Sequence, residues 1–514
     1  MVTIRGTVHE GDERMSAHDA IAGDHAYEKT LRWWDGFTIS LSIPAALFIG
    51  MGYAIGFIGA WTALALLGAV AVIACLQNYI YSEMAGMFTD KVGGISMYAH
   101  QGWRTRSTLV GPLATYGYWF AWSSSLAIYG LQIGTLVQAE WFPDQTWTFS
   151  TGLAEIGFPH MVALGVLVLG WALNVLGMRP AMWLMYATGV LVMIPIIAFA
   201  LAPIISSDWS LSNMHWDIAA SGAPGWQTAI AWMFVLAWSV YGIEAVASFV
   251  PEFRDTVRDT RIALRLAGLF VVAVYLLVPF GVGGMVDQAE VAENPVTFYL
   301  GAFESLFPGG DIIMTVCLIA GLLLLMIMTT ADGGRVLHGS ALEGLTIKQL
   351  GVLNRFKVPG RAMSLDLVVN VILILFVGEA LAVIVAGILG YLICHVLSLT
   401  GFLNLRRDLP DAERPIKLGR QWVYVAGVLA VVDTVLVVVG ALSANITGYG
   451  GTRELVIGVL VLSLSVVLYA YRRLVQDKQE WAWKEPVSEV TADLVENEPA
   501  TGPGPETDTV KEHA

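Results

Sequence analysis

Two stretches of this sequence place helix-breaking and polar residues inside otherwise apolar runs. In Ser40-Leu41-Ser42-Ile43-Pro44-Ala45-Ala46, a proline without an N–H and two hydroxyls interrupt the run, and Gly50-Met51-Gly52 follows. In Trp238-Ser239-Val240-Tyr241-Gly242-Ile243-Glu244, a glycine stands beside an indole, two hydroxyls and a carboxyl. A helix broken at such a point exposes N–H groups at the positive end of its dipole, which suit a carboxylate. It also exposes C=O groups, which suit an ammonium or Na⁺. A matched pair of breaks therefore has the chemistry to hold both ends of a zwitterion. Either break alone has a plainer use, Pro44 as a kink and Gly242 as a close helix contact.

Other side chains fit around such a site. Glu244 is an ionisable group in an apolar run, where a charge is costly to keep, and this marks it for ion coupling. Thr329 and Thr330 offer hydroxyl oxygens to a small cation; the alternative is that they bond to carbonyls one turn earlier in their own helix. Trp238 presents a face that attracts an ammonium or simply packs. Tyr116, Trp119 and Trp122 recur every three residues and make one helix face aromatic, a pattern packing also explains. Glu83, Asp433 and His395 read as structural groups, with Asp433 in an accessory helix remote from the expected site. Cys75, Cys317 and Cys394 lie in apolar runs without metal-ligand spacing. With no phosphate-binding loop, metal cluster or nucleophile elbow, neither a cofactor, a metal nor a catalytic residue is expected.

The elements that carry these groups follow from composition. Of 514 residues 56% are hydrophobic and 14% charged, whereas globular chains run to ~45–50% and ~25%. A bilayer is the solvent such a chain requires. Apolar runs of spanning length fall near 36–58, 61–88, 110–138, 158–177, 181–204, 228–250, 264–286, 312–334, 364–378, 380–404, 422–444 and 454–472, about twelve helices with eleven possible. All but Arg453 of the 28 Lys and Arg fall on alternate loops and the tails, so both termini are expected in the cytoplasm. The net charge of −14 sits largely in the tails and indicates no nucleic-acid partner. The expected organisation is a cytoplasmic tail over 1–34, a membrane domain over 35–475 and an acidic tail over 476–514 too polar to fold alone.

The runs also resemble a family. Tyr81-Ser82-Glu83-Met84-Ala85-Gly86-Met87-Phe88 with Gly93-Gly94 and Tyr98, the run from Trp238 through Gly242, Glu244, Glu252 and Arg258, Arg335-Val336-Leu337 with Glu343-Gly344, Asn354 and Val358-Pro359, and Arg414-Pro415 are similar in order to amino acid–polyamine–organocation (APC) permeases. The resemblance covers roughly residues 30–475. It implies an all-α leucine-transporter-like 5+5 inverted repeat with two added helices, moving an amino acid or small amine across the plasma membrane by ion symport or exchange with H⁺ or Na⁺. Alternatives are a nucleobase or organic-cation carrier on the same fold and a non-transporting amino acid sensor. Many members carry Gly-x-Gly at the first break. Here Gly50-Met51-Gly52 lies outward of it, which leaves the N–H groups of Ala45, Ala46 and Leu47 to meet a carboxylate beside Ser42, opposite Trp238, Ser239, Tyr241 and Gly242. Substrate identity, direction and oligomeric state are not legible in the residues.

Overall fold

The computed structural model describes residues 27–150, 155–219, 221–376 and 380–486. Most of both expected tails lies outside the described residues. Apart from a two-stranded hairpin, Thr148–Ser150 with Glu155–Gly157, the architecture is α-helical.

Ten helical segments among the described residues are long and apolar enough to cross a bilayer. They are spans one (Trp33–Ile58), two (Ala60–Met87), four (Phe158–Val175), five (Met178–Ile205), six (Gly225–Glu252), seven (Thr256–Gly283), eight (Gly310–Leu342), ten (Val385–Asp408), eleven (Gln421–Gly440) and twelve (Thr452–Gln476). Two more helices occupy the places of spans three and nine, Val110–Trp141 and Gly360–Phe376. Span nine has only 17 residues. Span three has 32 and is long enough, but it carries Ser123-Ser124-Ser125, glycines and glutamines. Its mild polarity has a physical reason: spans four, eight, nine, ten and twelve surround it, so its hydroxyls meet protein and not lipid. Span eight departs from expectation at its end. The sequence reading ends it near residue 334, with Arg335 in the following loop; the helix continues to Leu342 and Arg335 is fully buried.

Span seven packs on spans two and five, span eight on three and five, and span ten on three. Apolar residues on the outside remain uncovered, among them Ile204 at 82%, Leu442 at 74% and Val428 at 63% exposure. Such a girdle suits hydrocarbon. A short helix, Gly94–Trp103, lies against span ten and the end of span six. Gly94 has φ +57°, and a Cβ there would stand 2.7 Å from the Ser248 hydroxyl, which accounts for the Gly93-Gly94 pair. At the other face, helices Gln288–Glu293 and Phe298–Glu304 close over span one, with the Pro295 carbonyl 2.0 Å from where a Cβ of Gly52 would sit.

Spans three and ten meet backbone to backbone. A Cβ on Gly117 would come within 2.4 Å of the Gly390 carbonyl oxygen, whereas nothing lies within 4 Å of one on Gly427. Gly117→Val should cost about 1–3 kcal/mol, lowering the thermal unfolding midpoint of the detergent-purified protein, and Gly427→Val should leave it unchanged.

Candidate functional site

Both interrupted helices are present, but they are interrupted differently. Span one runs as Trp33–Leu41, is pinched at Ser42 and resumes as Ile43–Ile58 with Pro44 in its first turn. The pinch is tight. Ser42 keeps helical angles (φ −64°, ψ −35°), its N–H bonds to the Ile39 carbonyl at 3.3 Å, and the Ala45 N–H bonds to the Ser42 carbonyl at 3.0 Å. Span six is truly unwound. Helix Gly225–Val240 ends, Tyr241 is extended, Gly242 takes φ +110°, and the chain resumes as a 3₁₀ helix over Ile243–Glu252. Only glycine takes that φ without strain.

Unwinding takes from the Ser239 carbonyl the N–H of Ile243 that a continuous helix would supply. The Tyr275 hydroxyl of span seven donates to it instead, and stands 3.2 Å from the Ile43 carbonyl in span one. With one hydrogen, it serves one carbonyl at a time. Ser40 Oγ donates to the Ile243 carbonyl at 3.4 Å. The two breaks are therefore adjacent and bonded to each other.

The polar groups beyond Gly242 form one buried cluster. The Gly242 N–H donates to Glu244 Oε2 at 2.7 Å, the Tyr391 hydroxyl donates to Glu244 Oε1, and His395 Nε2 lies 3.7 Å from that oxygen. His395 Nδ1 is 2.8 Å from the Tyr81 hydroxyl. Tyr241 donates to Asp433 Oδ1 at 2.8 Å, and Gln77 Nε2 to Oδ2 at 2.7 Å. Asp433 is thus not remote from the break: span eleven delivers it against Tyr241, the residue at which span six unwinds. His395 is likewise no isolated core histidine.

The aromatic face of span three closes the front. A Cβ at Gly242 would meet the Trp122 ring at 2.6 Å and Ile43 Cδ1 at 2.8 Å, so these side chains fill the volume between the breaks in this conformation. Tyr118 and Trp122 both stand edge-on to Tyr391. Trp238 faces protein, its indole N–H donating to Ser125 Oγ at 3.0 Å. Ala45, Ala46 and Leu47 are buried in the first turns after the pinch, with the Ala45 N–H already engaged by Ser42. Ala45 also lines a narrow, mostly apolar crevice with Phe48, Ile49, Val192, Cys317 and Leu318. The Ser239 hydroxyl donates to the Leu236 carbonyl at 3.0 Å. Thr330 bonds to Met326 one turn back at 2.9 Å, while the buried Thr329 hydroxyl lies near Tyr129 without hydrogen-bond geometry.

The face carrying both described chain ends is locked. Arg335 grips Glu252 with two nitrogens, at 2.5 and 3.0 Å, donates to the Ala331 carbonyl at 2.8 Å, and stacks on Phe249 at 4.3 Å. Tyr27 covers the pair and bonds to His338 Nδ1 at 3.0 Å. Burial pushes its phenol well above the ordinary range, so it stays protonated. Leu31 exchanges backbone hydrogen bonds with Glu252 and Arg254, tying the start of span one to the end of span six. Glu83 holds Arg406, Arg414 and the Leu418 N–H together, the structural role expected of it.

Sequence reasoning missed Tyr275 and Tyr391 as partners of the breaks. The available signal was one tyrosine in each of two mostly apolar spans. A family model described as amino acid permease, AA_permease_2, matches residues 31–464. No curated protein matches the chain.

Arg335→Met leaves Glu252 buried without its cation and should destabilise the protein by about 3–5 kcal/mol; adding Glu252→Leu should recover most of that. Thermal unfolding of the single and double variants in detergent reads both.

Proposed function

This chain belongs to the amino acid permease family, and on that premise we propose that it is a secondary-active transporter of an amino acid or related small amine, working by alternating access in the plasma membrane with both termini cytoplasmic. A permease family implies a transporter and not an enzyme. The observation that carries the reading is the adjacency of the two breaks, joined through Tyr275 and Ser40 and covered by Trp122.

In this reading the substrate displaces the Trp122 and Ile43 side chains from Gly242 and takes over main-chain groups that now bond to each other. Its carboxylate competes for the N–H groups of Ala45, Ala46 and Leu47 beside Ser42. Its ammonium meets carbonyls at the span-six break, with Ser239, Tyr241 and Gly242 around it and the Trp238 face above. Glu244 couples the ion to the break, because its carboxylate holds the Gly242 N–H and any change in its charge changes that bond. Thr329 and Thr330 are the groups available to a small cation. H⁺ is favoured over Na⁺, since carboxyls and His395 crowd the break.

Proteoliposomes containing the purified chain should accumulate at least one radiolabelled proteinogenic amino acid when a pH gradient is imposed. Binding without accumulation would favour a sensor, and no response to any amino acid would favour a carrier of nucleobases or other organic cations. Gly242→Ala forces a side chain into a φ that costs of order 1–3 kcal/mol and into the Trp122 ring, so uptake should be lost while elution as a folded protein in size-exclusion chromatography is retained.

A further inference from the structure

One buried acid has no part in the reading so far. Asp332, in span eight, is fully buried, and neither of its oxygens has a hydrogen-bond partner. The hydroxyls of Tyr118 from span three and Ser248 from span six face it without reaching hydrogen-bond geometry. The other titratable groups around it are Glu244 of span six, Tyr391 of span ten and Arg335 of its own helix. Asp366 of span nine borders the adjacent Gly333 and accepts from the Trp119 indole. Arg335 is the cation nearest in the chain, yet its guanidinium is spent on Glu252 and the Ala331 carbonyl.

An ionised carboxylate buried without donors is far costlier than a neutral one. Glu244 differs in kind, because an N–H and a hydroxyl already satisfy it. Residues three apart on a helix share a face, so Arg335 can exchange Glu252 for Asp332 by turning its side chain, without backbone movement.

We propose that Asp332 is a proton carrier wired to the Arg335–Glu252 lock, neutral while Glu252 holds Arg335 and ionised when the lock opens and Arg335 turns to it. The proposal rests on the reading of the chain as a proton-coupled transporter. In the opening step the carboxyl O–H bond breaks, the proton passes to water entering from the face of the lock, and the new carboxylate gains the guanidinium as counter-ion. Closing reverses both changes. Tyr118 and Tyr391 pack edge-on to each other and lie near both Asp332 and Glu244.

The test uses the full chain in proteoliposomes and the radiolabelled amino acid that the wild type accumulates best. Asp332→Asn should keep exchange of internal for external amino acid near the wild-type rate. Its accumulation driven by a pH gradient should fall by roughly tenfold or more, within the ordinary range of coupling free energies. Asp332→Glu should restore the gradient response. Glu252→Gln, which leaves Arg335 to Asp332 permanently, should also uncouple accumulation from the gradient while exchange persists. Undiminished gradient-driven accumulation in either Asp332→Asn or Glu252→Gln overturns the proposal, as does loss of exchange and accumulation together in both Asp332→Asn and Asp332→Glu. A wild type that exchanges amino acid but ignores the pH gradient overturns the proton-coupled reading beneath it, and is distinguished by needing no variant.

Discussion

An amide or carbonyl released in the middle of a bilayer-spanning bundle has no water to turn to, so each one must be answered by a side chain. That requirement organises the centre of this protein. The carbonyls at Ser239 and Ile43 share the Tyr275 hydroxyl, the Ile243 carbonyl takes Ser40, and the Gly242 N–H takes Glu244. Every one of these answers is a polar group in an apolar span. The interruption of span six and the polar residues of its neighbours are one feature seen from two sides.

The same bonds define what a ligand must overcome. In the conformation described, Trp122 and Ile43 occupy the space against Gly242, the Ala45 N–H is held by Ser42, and Arg335 and Glu252 seal the face below. The dipoles are paired with the protein itself. This differs from a preformed cradle of bare groups.

Much of this was legible in the residues, for reasons that can be located. Pro44 and Gly242 announce themselves because a missing donor and a missing Cβ act locally. Asp433 and His395 did not, because their relevance depends on the rotation of spans ten and eleven toward span six, and a single sequence carries no information about rotation. Span three was legible at 110–138 although its polarity, explained by the protein that surrounds it, makes it the less obvious span. Asp332 was hidden for a related reason. The run Thr329-Thr330-Ala331-Asp332-Gly333-Gly334-Arg335 looks like a helix running out into a loop, yet the helix continues and the run is buried.

The backbone exchange between Leu31 and the segment at Glu252 and Arg254 bears on how such a molecule can move. It stitches the entry of span one to the exit of span six, and Ser40 and Tyr275 stitch them again at mid-depth. Two helices fastened at two heights would move together if either moved. Spans three and ten are themselves in backbone contact at Gly117 and Gly390, so any displacement of that pair against them would pass over the aromatic face of span three.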